Sequence, residues 1–202
     1  MKTLLLRLLV PALLAGSACA QGFIQNRDIS VLGGVSWYKS QSIPGSSVTF
    51  DGSTGYAMQV SYGYQVARGS AGSLWVEFYP MTFPFPGKRP AGIPGKVDFS
   101  SFIVTPGVRY MVPVQSRLSL YGVAGGGYGA FEYPVVADGD TLHVKMNSTW
   151  HGVFDFGGGI DVRLSQSWSL RTECRDFVTG RALNGIPGRH HPTPLLGIAV
   201  HF

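Results

Sequence analysis

SLRTECRDF, residues 169–177, sets Arg171, Glu173 and Arg175 at every second position, with Leu170, Thr172 and Cys174 between them. A period of two marks an extended strand, whose successive side chains point to opposite faces. One face of this strand carries charge of both signs and the other carries none. The same division recurs along the chain. Tyr56, Met58, Val60, Tyr62 and Tyr64 alternate with Ala57, Gln59, Ser61, Gly63 and Gln65, and Leu74, Val76 and Phe78 with Trp75 and Glu77. Phe102, Val104, Val108 and Tyr110 stand against Ser101, Thr105 and Arg109, and Phe154, Phe156, Ile160 and Val162 against Asp155, Asp161 and Arg163. At the end, Leu196, Ile198, Val200 and Phe202 oppose Gly197, Ala199 and His201.

In a soluble sandwich the apolar face would be the core, and the glycines of the other face would lie idle on the surface. In a small barrel the apolar face meets lipid and the narrow interior takes side chains with little space left over. Gly125, Gly126, Gly127, Gly157, Gly158 and Gly159 then allow curvature and leave room for long charged partners to cross the lumen. Register is strongly specified, because Arg on the lipid face costs about 2–4 kcal/mol at midplane. The charged face therefore points inward. The expected interior sets Arg109, Arg117, Arg163, Arg171 and Arg175 against Glu77, Asp155, Asp161 and Glu173. That near neutrality suits a packed, low-dielectric interior whose charges are paired.

Eight alternating runs are read, at 29–38, 55–66, 73–79, 99–112, 117–131, 148–163, 168–177 and 193–202. The connections alternate in length. Short turns fall at 67–72, 113–116 and 164–167, and long ones at 39–54, 80–98, 132–147 and 178–192. The segment 80–98, with Pro80, Pro84, Pro86, Pro90 and Pro94, reads as stiff but not a strand. Such alternation is what a membrane barrel with short periplasmic turns and long outer loops requires. The expected fold is all-β: an eight-stranded antiparallel up-and-down transmembrane β-barrel of meander topology, with no plug domain. Trp37, Tyr64, Tyr110, Tyr128 and Trp168 fall near strand ends, as an aromatic girdle requires.

Composition agrees. Charged residues are 13% of the chain against a usual ~25%, and 28 of 202 residues are glycine, about twice the usual share. Residues 1–20 carry Lys2 and Arg7, an apolar run and Ala18-Cys19-Ala20, the pattern of a cleavable signal peptide. Its removal leaves one barrel domain over residues 21–202 and takes the formal charge from +5 to +3. Cys174 is then the sole cysteine, which excludes an intramolecular disulfide or a cysteine zinc site. Export and the modest charge argue against nucleic acid as a partner.

The chain resembles the small eight-stranded outer-membrane barrel proteins of Gram-negative bacteria, the OmpA-like transmembrane-domain superfamily, over residues 21–202. The carriers are the cleavable signal, the loop alternation, the stretch GGGIDVRLSQSWSLRTECRDF (157–177) and the terminal LLGIAVHF (195–202). The resemblance implies integral residence in the outer membrane, contact with its lipids, and a last strand read by the barrel-assembly machinery, with Phe202 as the terminal aromatic. Some members of that superfamily carry a separate peptidoglycan-binding domain, and with the chain stopping at Phe202 none is expected here.

Some members of that superfamily act on lipid A with a Ser, a His and a carboxylate, but their His-x-Ser core with a downstream Glu has no match here. No catalytic, cofactor-binding or metal-ligating residue is therefore assigned. Arg189-His190-His191 reads as a solvated loop without a nearby carboxylate or cysteine. GGGYGA (125–130) lacks the helix that a phosphate-binding loop needs. Lys88, Arg89 and Arg189 are candidate lipopolysaccharide contacts, against the alternative of ordinary solvated charge. The lumen charge network is expected at Glu77, Arg109, Asp155, Asp161, Arg171, Glu173 and Arg175. The favoured function is a non-enzymatic envelope-structural or surface-interaction role through the outer loops. Small-solute passage and lipid A modification are the alternatives, and the loops offer no recognisable code for an external ligand.

Overall fold

The computed structural model describes residues 25–38, 41–42, 49–50, 53–88, 97–136, 144–181 and 187–202. The expected signal peptide lies outside them. The alternating runs become eight long antiparallel staves: β1 (Arg27–Tyr38), β2 (Ser53–Arg68), β3 (Ser73–Phe78 and Pro80–Lys88) and β4 (Val97–Val104 and Gly107–Gln115). They continue as β5 (Leu118–Val136), β6 (Val144–Arg163), β7 (Trp168–Arg181) and β8 (Pro187–His201). Each pairs with its neighbours in sequence, and β8 pairs with β1 from Asp28↔His201 to Gly34↔Leu195. Arg27 and Phe202 complete that seam by exchanging two backbone hydrogen bonds at 3.0 Å. The sheet is closed, so no stave is left as an edge through the barrel wall.

Two staves lapse at one level. β3 breaks at Tyr79 and β4 at Thr105-Pro106, where proline has no N–H to donate. The register is unchanged across the gap, Glu77↔Gly107 below and Pro80↔Val104 above, and the Thr105 N–H donates to the Tyr79 carbonyl at 3.1 Å. The wall is therefore continuous.

The segment 80–98 corrects the sequence reading, since Pro80–Lys88 is strand and pairs with β4 as far as Lys88↔Val97. Pro80, Pro84 and Pro86 occupy alternate positions, so their missing donors all fall on one side of the strand. The described pairing with β2 ends at Thr82, while that with β4 runs on. Two other outer connections are also shorter than expected, with pairing out to Val144↔Val136 and Arg181↔Pro187.

The apolar faces point outward and are bare of protein: Tyr56 is 66%, Trp150 65% and Leu196 57% exposed. Tyr64, Tyr110 and Trp168 project outward toward the short turns, and Tyr56, Tyr128 and Trp150 at the opposite end. The side chain of Trp37 lies outside the described residues. Tyr56 and Tyr64 are about 26 Å apart along β2, or about 20 Å along the barrel axis at the usual tilt, close to the apolar band of a membrane barrel.

Candidate functional site: a charged lumen under an apolar ceiling

Inward parity places Asp28 (β1), Glu77 (β3), Arg109 (β4), Asp155 and Asp161 (β6), and Arg171, Glu173 and Arg175 (β7) inside the barrel, all of them buried. All seven residues of the expected charge network are brought together. Arg109 reaches Asp28 at 2.5 Å and Glu77 at 2.7 Å. Arg171 holds Asp28 and Asp161, both at 2.8 Å. Arg175 takes Asp155 and Glu173 at 2.8 Å and Glu77 at 3.2 Å. A guanidinium has five donors in a planar fork, which is how three cations serve five carboxylates.

Aromatic groups complete the packing. The Tyr79 hydroxyl donates to Glu173 at 2.7 Å and lies against the Gln59 amide, and Tyr121 donates to the same Glu173 carboxylate at 3.0 Å. The Arg175 guanidinium sits 3.5 Å from the Tyr79 ring centroid, and that of Arg109 sits 4.8 Å from Trp75. Such contacts add to the ion pairs where water is excluded.

The interior departs from the sequence reading in three places. Arg117 was expected inside but lies exposed in the turn between β4 and β5. Arg163 is only half-buried at the turn-side end, where it donates to the Gln25 side chain at 3.2 Å and the Gln166 carbonyl at 2.9 Å. Asp28 was missed. Its carboxylate is shared by Arg109 and Arg171, and the signal that reveals it is parity with Ser30, Leu32 and Ser36 on the same buried face. The buried set thus holds five carboxylates and three arginines rather than a near-neutral mix. His201 joins it, with Nε2 2.8 Å from Ser169 Oγ, which donates to Asp161 at 3.0 Å.

Above the charges, away from the short turns, lies an apolar layer that the sequence reading did not anticipate. Leu32, Ala57, Tyr79, Ile103, Val153, Phe177 and Leu195 form one buried cluster, drawn from seven of the eight staves. The remaining stave, β5, supplies Gly127 opposite Val153, where a Cβ would meet the Val104 carbonyl oxygen at 2.0 Å. Beside the charges, Trp75, Met111, Tyr121 and Val123 form a second apolar cluster on β3, β4 and β5, with the Trp75 and Tyr121 rings against the Arg109 guanidinium. The lumen is a packed core in layers.

On the outer wall, His190 Nδ1 is 2.6 Å from Asp176 Oδ2, and the His191 N–H donates to Asp176 at 2.8 Å. The expectation that these histidines lack a neighbouring carboxylate is corrected, because Asp176 of β7 pairs across to β8. Among the described residues no group of three or more His, Cys, Asp or Glu is arranged to hold a metal ion. Of the candidate lipopolysaccharide contacts, Lys88 and Arg189 sit on the outer parts of β3 and β8, with side chains outside the described residues, as is all of Arg89.

No protein-family model matches the sequence, and no curated protein matches it. Solved structures do match in fold. Neisserial surface protein A (NspA) aligns at 15% identity with a TM-score of 0.59, covering 86% of this chain and 97% of that one. Ail, the attachment invasion locus protein of Yersinia pestis, aligns at 16% identity with a TM-score of 0.51, covering 89% of this chain and 100% of its own. The N-terminal β-barrel domain of Pseudomonas aeruginosa OprF aligns at 12% identity with a TM-score of 0.50, covering 88% of this chain and 98% of that domain. With its eight closed staves, apolar exterior and charged lumen, the chain has the fold of the small eight-stranded outer-membrane β-barrels.

Proposed function

We propose that the protein is exported by way of residues 1–20 and resides in the bacterial outer membrane as a non-enzymatic barrel. It serves envelope structure or surface interaction through the connections that follow β1, β3, β5 and β7. The observation that carries this reading is the filled interior: a layer of paired charges lies beneath an apolar ceiling contributed by seven staves. A lumen packed in this way disfavours solute passage, and the long connections and outer strand ends are then the parts available to partners. On this reading lipopolysaccharide phosphates contact Lys88, Arg89 and Arg189, and the barrel-assembly machinery reads the last strand ending in Phe202.

Membrane fractionation with heat-modifiable gel mobility tests residence, and planar-bilayer recording tests the closed lumen. The expected outcome is a heat-shifted band in the outer-membrane fraction and no steady conductance. A persistent open channel would replace this reading with solute passage. Altered lipid A masses on expression would replace it with an enzyme. Replacing Lys88, Arg89 and Arg189 together by Ser is expected to lower retention of lipid A on the purified barrel, and unchanged retention would remove that contact.

A further inference from the structure

Charge is unevenly placed along the barrel axis. At the turn-side end stand Arg27, Arg68, Arg117 and Arg163, the first three exposed and the last half-buried. The turns at 69–72, 113–116 and 164–167 hold no acid. Among the described residues the side-chain carboxylates nearest that end are Asp28 and Asp161, both buried and both bound by Arg171 at 2.8 Å.

Two of these arginines are brought to the axis. Arg68 and Arg163 are the last residues of β2 and β6, which stand four places apart in the ring of eight and so form opposite walls. Arg163 has the inward parity of Asp161 and reaches the Gln25 side chain ahead of β1. Arg68 owes its place to a bulge. The register slips between Gln65 and Ala67, which sets Ala67 opposite outward-facing Leu74 and Arg68 opposite Ser73, whose hydroxyl accepts from buried Trp75 at 2.9 Å. Without the slip Arg68 would continue the outward run of Tyr62, Tyr64 and Val66. Bulges re-aim side chains in this way. The charges that bear on the Arg163 guanidinium are Asp161, Arg171 and Asp28 from the lumen and Arg68 from the rim.

We propose that the turn-side mouth is a phosphate-binding site, in which the guanidinium groups of Arg68 and Arg163 close on one phosphate group from opposite walls, with Arg117 beside them. The Arg117 carbonyl accepts from the Arg163 N–H at 2.7 Å, so a third arginine borders the same place. The Gln25 side chain and the Gln166 carbonyl both bind Arg163 Nη1, which fixes the guanidinium through neutral acceptors and supplies no counter-charge. Like charges held close repel, and an anion between them replaces that repulsion by two attractions. A carboxylate offers two oxygens in one plane, whereas phosphate oxygens are tetrahedral and accept from planar forks that enter from different sides.

Two sources present this chemistry at the mouth, a phospholipid headgroup of the adjoining leaflet and a soluble phosphate. Arg27 stands apart from the site. It pairs with outward-facing Tyr64 and lies 5.9 Å from that ring centroid, so it belongs to the girdle and is the control for a general attraction of anions to a basic end.

The test uses the full mature chain refolded in detergent at low ionic strength. Titration calorimetry with inorganic phosphate is expected to show saturable binding, weakened about tenfold or more in Arg68→Gln and in Arg163→Gln and unchanged in Arg27→Gln. Arg68 is exposed at a strand end, so Arg68→Gln is expected to keep the heat-modifiable mobility of the wild type, which separates loss of binding from loss of fold. In a second arm, barrel taken from phosphatidylglycerol vesicles is washed in detergent and its retained lipid measured. Retention that is lost in Arg68→Gln makes the headgroup the source, and phosphate binding without such retention makes it a soluble phosphate. Binding in neither arm, equal binding by wild type and Arg68→Gln, or an equal loss in Arg27→Gln would each overturn the proposal.

Discussion

Asp28 and Arg171, 143 residues apart in the chain, meet at 2.8 Å inside the barrel. They sit on β1 and β7 with β8 between them, so the contact exists only once the ring is closed. Asp28 also holds Arg109 from β4, which ties the seam to the opposite wall.

Asp28→Leu leaves two buried guanidinium groups short of a partner. Removing one member of a buried ionic set costs about 3–5 kcal/mol. Urea unfolding in detergent, followed by tryptophan emission, is expected to show a loss of that size. Trp75 lies 4.8 Å from Arg109 and so reports on the disturbed layer. A midpoint equal to wild type would mean that the three residues are not coupled.

Glu77→Leu is expected to destabilise the barrel more than Asp140→Asn in the connection between β5 and β6. Glu77 is buried and bridges Arg109 and Arg175. Charge changes that break no buried pair usually stay within about 0.5 kcal/mol. Equal shifts of the two unfolding midpoints would contradict the paired-lumen description.

Gly159 and Gly33 make a matched pair. A Cβ at Gly159 would come within 2.2 Å of the Thr172 carbonyl oxygen and 2.4 Å of the Tyr121 hydroxyl, whereas at Gly33 it would meet nothing within 4 Å. Gly159→Ala must push Tyr121 away from Glu173 and is expected to cost about 1–3 kcal/mol by overpacking. Gly33→Ala should be near neutral. Comparable midpoints for the two variants would show that the β6 glycines are not needed for room.

Cys174 is exposed on the outer face of β7. In vesicles it is expected to react with a membrane-soluble maleimide and to resist a charged, impermeant one. Rapid labelling by the charged reagent in intact vesicles would place this face in water and reverse the inside-out reading.

The fold was legible because parity is a strong signal when one face must be apolar. Arg171, Glu173 and Arg175 could not be turned outward without placing two arginines in lipid. The parts that were missed lie where parity is weak or masked. Asp28 precedes the apolar run at Ile29, and β1 begins at Arg27, two residues before the run read from the sequence. Arg117 continues the alternation on paper but falls in a turn, where period two has no meaning. Pro80, Pro84 and Pro86 argue against a strand locally, yet Pro80 and Pro84 keep their places in the β4 ladder and Pro86 falls where the register shifts between Phe85 and Lys88. The ceiling was hidden because Leu32, Ala57, Ile103, Val153, Phe177 and Leu195 contribute singly, one per stave, and only the stagger of the strands brings them to one level.

The paired amide and carbonyl groups of Arg27 and Phe202 have a consequence for biogenesis. Every other neighbour pairing joins strands consecutive in the sequence, whereas this one joins the first strand to the last and needs both ends of the barrel chain in place. A product shortened by its last strand would present two raw flanks and hold Asp28 away from Arg171. Integrity of the C-terminus is therefore a condition of solubilising the ions at the centre, and truncation there is expected to be more damaging than a cut of equal length in any outer connection.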